Sequence, residues 1–313
     1  MKKSRVLFGV SGIGYGHTFR QLSLIEHFAK RGKVTIFAHD TSLKFYQSHF
    51  KNQSSVKIEE VAIPFYTGKE TGLDFTKSIN EPVNQKRDFF KPNMIAMRNA
   101  EKHLGKPDLV ISDYEPVCAQ YGYLHESPVV TIDQQSKFLI GDFPKKLGGY
   151  TFQDEVSRLH MFFPCVAERI ACSFFRVPKR ADTRDSVKVV PPIIKSDVID
   201  LKRKKNKKEV TILLYLSSAR SFVQSKSEVV KILKRINGAK LHVFVPPQDA
   251  TYYRKQAPDT CKIYKHGDKQ FINILATCHG VVATAGHSLL SECMYLGIPV
   301  YAIPVSPYEQ HMN

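Results

Sequence analysis

Cys278-His279-Gly280-Val281-Val282-Ala283-Thr284-Ala285-Gly286-His287-Ser288-Leu289-Leu290-Ser291-Glu292-Cys293-Met294-Tyr295-Leu296-Gly297-Ile298-Pro299-Val300 reads as a strand, a turn of small residues, a helix, a Gly-Ile-Pro break and a second strand. Two strands joined through a helix run parallel in one sheet. Upstream the pattern repeats. Residues 209–216, 240–245, 261–264, 280–283 and 299–303 have strand character, and 225–236, 269–277 and 287–296 have helical periodicity. The first half follows the same scheme, with strands expected at 5–10, 33–37, 56–61, 108–111 and 128–132 and helical patterns between several of them.

Such alternation specifies an α/β fold with parallel sheets covered on both faces. The 313 residues suffice for two domains. Pro191-Pro192 and the basic run that follows break the pattern, so a linker is expected around 191–208. The expected architecture is two doubly wound Rossmann-like domains, 1–192 and 193–313, facing each other across a cleft. Ligands of such sheets lie beyond the carboxyl ends of the strands. A helical pattern opens at Glu309-Gln310-His311-Met312-Asn313 just as the sequence stops, which predicts an incomplete second domain.

Composition excludes several classes. With 42% apolar and 24% charged residues the chain is neither disordered nor collagenous. No apolar run approaches the ~20 residues of a membrane span, and Met1-Lys2-Lys3-Ser4-Arg5 leads directly into a strand, not a secretory segment. A cytoplasmic location is therefore expected. The six cysteines (118, 165, 172, 261, 278 and 293) form no CxxC pair, which favours reduced core thiols over a zinc site or disulfide framework. A net charge of +17 favours anionic partners without choosing among phosphorylated small molecules, acidic membranes and nucleic acid. Lys202-Arg203-Lys204-Lys205-Asn206-Lys207-Lys208 is the densest basic run and also reads as a hydrated linker.

The first strand is followed by Ser11-Gly12-Ile13-Gly14-Tyr15-Gly16-His17-Thr18-Phe19-Arg20, with a helix expected over 21–31. A dinucleotide fingerprint would need a third glycine at position 17, where the chain has histidine. Asp40, after the second strand, keeps a nicotinamide-type ribose contact as an alternative. An imidazole at position 17 can take a proton from an attacking hydroxyl, and a carboxylate on its other nitrogen would orient it. Val110-Ile111-Ser112-Asp113-Tyr114-Glu115 brings Asp113 and Glu115 to the same sheet edge. The competing reading makes His17 and Asp113 helix caps. In the second half, Gly286 to Leu289 would open a helix with amides suited to a diphosphate, and Glu292 could accept two ribose hydroxyls.

Taken together, the Gly-x-Gly-x-Gly-His loop at 12–17 and the stretch 266–313 resemble those of GT-B glycosyltransferases, in particular the group similar to the bacterial peptidoglycan N-acetylglucosaminyltransferase. The resemblance covers nearly the whole chain in layout. It implies that His17 is the base or an acceptor contact, oriented by Asp113, and that Gly14 and Gly16 shape an acceptor loop with Glu115 nearby. Gly286, His287, Ser288 and Leu289 become the donor-phosphate turn, Glu292 the ribose contact, and Gln310 and Glu309 the sugar contacts. Ser217-Ser218-Ala219-Arg220 stands where such enzymes keep a glycine-rich phosphate loop, with serines in place of glycines. Main-chain groups near Phe271, within 265–272, would read the nucleotide base, or Phe271 is simply core. The implied reaction moves a sugar from a nucleoside diphosphate sugar, with uridine as the expected base, to a hydroxyl. It uses neither metal nor resident cofactor, consistent with the lack of an Asp-x-Asp motif, and inverts the anomeric carbon if His17 is a base.

For the acceptor, Lys86-Arg87-Asp88-Phe89-Phe90-Lys91-Pro92-Asn93-Met94-Ile95-Ala96-Met97-Arg98 interleaves cations with large apolar residues. It reads either as a peripheral contact with the inner face of an anionic membrane bearing a lipid-linked or cell-envelope acceptor, or as a core helix with a wet basic side. Met161-Phe162-Phe163 and Phe174-Phe175-Arg176 invite the same two readings. The alternatives are transfer to modified DNA bases, which the positive charge would suit, a nucleotide-sugar 2-epimerase of the same architecture, and a non-catalytic nucleotide-sugar-binding protein.

Overall fold

The computed structural model describes residues 3–64, 68–69, 72–73, 75–144, 146–147, 150–204, 209–216, 226–304 and 312. The chain divides into two compact units, Met1–Ile193 and Ile194–Asn313. Ser217, Ser218, Glu309 and Gln310 lie outside the described residues.

In the first unit the main elements are β1 (Ser4–Val10), α1 (Tyr15–Ala29), β2 (Gly32–Ala38), α2 (Asp40–His49), β3 (Val56–Glu60), α3 (Phe90–Leu104), β4 (Leu109–Asp113), α4 (Pro116–Leu124), β5 (Val129–Asp133), α5 (Phe152–Phe162), β6 (Glu168–Cys172) and β7 (Lys188–Val190). The seven strands form one sheet in the order β7-β6-β5-β4-β1-β2-β3, and every pairing is parallel. Val6, Leu7, Phe8 and Val10 are all buried, as expected of a central strand covered on both faces. The strand order reverses between β1 and β4. The connections after these two strands therefore diverge and leave room for side chains from both.

The second unit contains α6 (Ser196–Ile199), β8 (Thr211–Tyr215), α7 (Lys226–Arg235), β9 (Lys240–Val245), α8 (Ala250–Gln256), β10 (Cys261–Lys265), α9 (Gln270–Thr277), β11 (Gly280–Thr284), α10 (His287–Tyr295) and β12 (Val300–Ile303). Its sheet runs β10-β9-β8-β11-β12, again parallel throughout. Adjacent residues of β8 feed opposite cores: Leu213 packs with Phe244, Leu275 and Cys293, and Leu214 with Val230, Leu233 and Tyr253. The order reverses between β8 and β11, which puts the turn at 285–289 at the switch point.

The sequence reading differs from the structure in several places. Residues 195–204, expected within a linker, pack on the second unit: the Lys204 N–H donates to Ala276 O and the Arg203 guanidinium to Gly297 O. Strands β6 and β7 were not expected, because Glu168 and Arg169 break the apolar run of a buried strand. Cys118, Cys172, Cys278 and Cys293 are buried, but Cys165 is exposed.

Candidate active site

Helix α1 begins at Tyr15, six residues before the expected start. Gly14, at φ 74°, is its N-cap. That φ lies in the left-handed region that glycine occupies without strain. Gly16 accordingly lies inside the helix, and His17, Arg20 and Gln21 fall at i, i+3 and i+4 on one face. All three reach Asp113 at the end of β4. His17 Nδ1 lies 2.7 Å from Asp113 Oδ1, and Arg20 donates from Nε to Oδ2 at 2.8 Å and from Nη2 to Oδ1 at 2.7 Å. Gln21 Nε2 donates to Oδ2 and to Ile132 O, both at 2.9 Å.

Asp113 is completely buried. Burial alone would push its carboxyl up, but the Arg20 guanidinium and then His17 outweigh it and hold it well below the usual carboxylate range. Burial also works against the charge of Arg20, and Asp113 reverses that and raises it. The imidazole of His17 stacks on the Tyr114 ring, with centroids 6.2 Å apart and planes 18° from parallel. Tyr114 adopts φ 58°, a strained conformation for a bulky residue. Its hydroxyl accepts from Arg158 Nη1 at 3.0 Å and donates to Glu155 Oε2 at 3.3 Å.

Glu115 is not placed to meet an acceptor. It is fully buried and caps α4, accepting the Val117 and Cys118 N–H groups at 2.8 Å each. The cap reading therefore applies to Glu115, ahead of Pro116 at the first helical position, and not to Asp113. The nicotinamide alternative also fails. The Gly12 N–H, which would face a pyrophosphate, donates to His39 Nε2 at 3.0 Å, and His39 in turn donates from Nδ1 to Asp40 Oδ2 at 2.8 Å. A Cβ on Gly12 would lie 1.9 Å from His39 O. The Gly12 position is closed by His39.

At the second unit's switch point, α10 opens at Gly286 without a side-chain cap and with no acidic residue in its first turn. The Gly286 N–H turns back to Thr284 O at 2.6 Å. Gly286 has φ −75°, and among the described residues an added Cβ would meet only Thr284 O at 3.9 Å. Neither the backbone conformation nor the packing of the described residues requires glycine there. His287 is buried, with the Ser291 hydroxyl donating to its carbonyl at 2.7 Å, and Leu289 packs on the core. Glu292, also buried, pairs with Lys195 Nζ at 2.9 Å, and the same ammonium lies 5.8 Å from the Phe271 ring centroid. Phe271 packs edge-on against Tyr215 and Phe244, and its N–H donates to Asp268 O at 3.0 Å.

The sequence reading named His17, Asp113, Gly286 and Glu292 but missed Arg20, Gln21, His39, Tyr114 and Lys195. Helical spacing from His17 was the available signal for Arg20 and Gln21.

Each of the two doubly wound units carries a polar cluster at its switch point. The sequence profile described as glycosyl transferase family 1 matches residues 4–313, and the chain belongs to that family: it is a glycosyltransferase. Among curated proteins, none matches this chain in sequence. Solved structures of similar fold include MurG of Acinetobacter baumannii, at TM-score 0.53 and 14% identity over 98% of this chain and 81% of that one. UGT89C1 of Arabidopsis thaliana complexed with UDP-L-rhamnose gives 0.59 and 15% over 97% and 80%. UGT2 of Phytolacca americana complexed with UDP-2fluoro-glucose and pterostilbene gives 0.60 and 13% over 99% and 82%. These likenesses establish the fold.

Proposed function

We propose that the protein transfers a sugar from a nucleoside diphosphate sugar, with uridine diphosphate as carrier, to a hydroxyl acceptor, and that His17 is the base. The observation that carries this reading is the 2.7 Å contact of His17 Nδ1 with the buried carboxylate of Asp113. An ionised acceptor at that distance calls for a proton on Nδ1, which leaves the Nε2 lone pair to receive one. Among the described residues Nε2 has no hydrogen-bond partner. In the step proposed, Nε2 takes the proton of the acceptor hydroxyl as its oxygen bonds to the anomeric carbon. The bond from that carbon to the diphosphate oxygen breaks, and configuration inverts. Asp113 stabilises the imidazolium, and a base so placed contributes ~10²–10⁴ in rate.

The donor half rests on the second unit. The positive end of the α10 dipole, at a helix start with no side-chain cap, would face the diphosphate and help its negative charge to leave without a metal. Glu292 would accept the ribose hydroxyls and share its carboxylate with Lys195. Uridine is supported by the UDP-sugar complexes among the structures of like fold.

For the acceptor we favour a lipid-linked or cell-envelope glycan met at an anionic membrane surface. Helix α3 buries Ala96, Ala100 and Leu104 but leaves Phe90 75%, Met94 49% and Ile95 50% exposed, with Lys86, Arg87, Lys91 and Arg98 close by in sequence. No helix among the described residues is long and apolar enough to cross a membrane. Sedimentation with anionic vesicles, weakened by salt, is expected, and equal retention by neutral vesicles would contradict this assignment.

A thermal-shift panel of nucleoside diphosphates and nucleotide sugars tests the donor. A ligand at 100 times its Kd stabilises by about 2.7 kcal/mol. UDP or a UDP-sugar should give the largest shift, and a panel without any shift would refute the reading.

A further inference from the structure

Across the first sheet from the His17 cluster lies a buried cation that has no ion-pair partner among the described residues. Arg169 on β6 is 6% exposed. Its Nη2 donates to Phe163 O at 2.5 Å, just beyond the end of α5, while its Nη1 is buried and bonds to nothing. Two carboxylates, Asp133 and Asp185, act on it only through space. The ionised Asp133 spends its oxygens on the Ser136 N–H and hydroxyl, and Asp185 faces His160 Nε2 at 3.4 Å. Burial outweighs both and holds the guanidinium below the ordinary arginine value.

Two hydroxyls belong to the same face. Arg169 is the register partner of Thr131 on β5, so their side chains stand side by side, and Thr131 is fully buried with no partner for Oγ1. Val129, two residues earlier and on the same face, lies under α4, where a Cβ on Gly122 would meet Val129 Cγ2 at 2.7 Å. The next residue of that helix is Tyr123. Its hydroxyl is also buried without an acceptor, and the Cys165 N–H is directed at its oxygen. Phe163 and Cys165 are two residues apart, so the guanidinium and the tyrosine hydroxyl come to one short stretch of chain. Asp113 is on the other face, because Thr131 pairs in register with Ser112.

We infer that Arg169, Thr131 and Tyr123 form a binding site for a small monovalent anion, chloride, separate from the site of sugar transfer. One guanidinium and two neutral hydroxyls match a single negative charge. Water accepts the same hydrogen bonds but leaves the buried charge unbalanced, and that imbalance is the costly part. Sulfate or phosphate carries more charge than one guanidinium offsets and gives up a stronger hydration shell on entering a buried site. The ion would tie β5, β6, α4 and the segment after α5 together.

Thermal unfolding of the full chain at constant ionic strength tests this, with sodium chloride replacing sodium gluconate, whose carboxylate is carried on a bulky polyol. The wild-type midpoint should rise saturably with chloride, by about 5 °C at 100 times its Kd, and bromide should act alike. Arg169→Met should lose that rise and, in gluconate alone, unfold no lower than the wild type, since an uncompensated charge has given way to apolar bulk. Tyr123→Phe should weaken chloride about tenfold with the guanidinium in place. If Arg169→Met does not fold, Tyr123→Phe and the ³⁵Cl NMR linewidth of wild-type solutions carry the test, with excess broadening that bromide displaces as the expected result. A wild-type midpoint indifferent to the anion, no displaceable broadening, or an Arg169→Met that responds to chloride as the wild type does overturns the proposal; water then meets these donors, and any chloride response belongs to the general positive charge of the chain.

Discussion

After β1 the chain enters α1 through Gly12 and Gly14; after β11 it enters α10 through Ala285 and Gly286. The two turns occupy equivalent places at the switch points of parallel sheets, and each carries glycine, but their surroundings differ. In the first, Gly12 is required because His39 crowds it, its N–H is taken by His39, and Gly14 must hold a positive φ. What the turn delivers is a side chain, His17, in contact with Asp113, Arg20 and Tyr114. In the second, neither backbone angle nor neighbouring atoms among the described residues require Gly286. The difference teaches that glycine between strand and helix does not identify a phosphate site until its amides and its Cβ space are accounted for.

The sharpest way to break this comparison is to add a methyl group at both turns. Gly12→Ala should destabilise the first unit by about 3 kcal/mol, because the new Cβ meets backbone and not a yielding side chain; the urea midpoint of that unit's transition reports it. Gly286→Ala should leave unfolding unchanged within ~0.5 kcal/mol yet weaken UDP-sugar binding about tenfold, or ~1.4 kcal/mol by calorimetric titration. Equal stability losses at both sites would abolish the distinction.

The closed character of the first site also has a signature in pH. Asp133 has a folded-state pKa of about 6 against an ordinary value of 3.8, chiefly through burial. Its penalty is therefore absent well below the ordinary value, builds as pH rises and is complete above 6. The shift corresponds to about 3 kcal/mol. Asp133→Asn, which can still accept the Ser136 N–H, should gain on the wild type in thermal stability between pH 4 and pH 8. A constant difference across that range would show that Asp133 is not held in a desolvated site.

Much of the layout was legible because the strands are short continuous apolar runs separated by amphipathic helices, and periodicity reports that directly. β9 was expected at 240–245 and is found at Lys240–Val245. The site was legible only where a residue's chemistry is rare. A histidine in place of a fingerprint glycine marked position 17, and an acid at a strand's end marked Asp113. Arg20 and Gln21 were hidden because the helix start was placed at 21, which left His17 and Arg20 outside the expected helix and concealed the face that all three share. Gly14 starts the helix earlier through a backbone angle that sequence does not print. Glu115 was assigned to the acceptor by its position after β4, although Pro116 beside it was the signal of a helix cap. Lys195 lay in a stretch whose prolines and charge read as linker, and only tertiary packing brings it to Glu292.

The proposed function assigns proton removal to His17 and donor binding to the second unit, and His17→Ala separates the two most directly. UDP-sugar titration and transfer rate should be measured on the same preparation of the variant and of the wild type. The account predicts an unchanged donor Kd with transfer reduced by ~10² or more; transfer at the wild-type rate would contradict it.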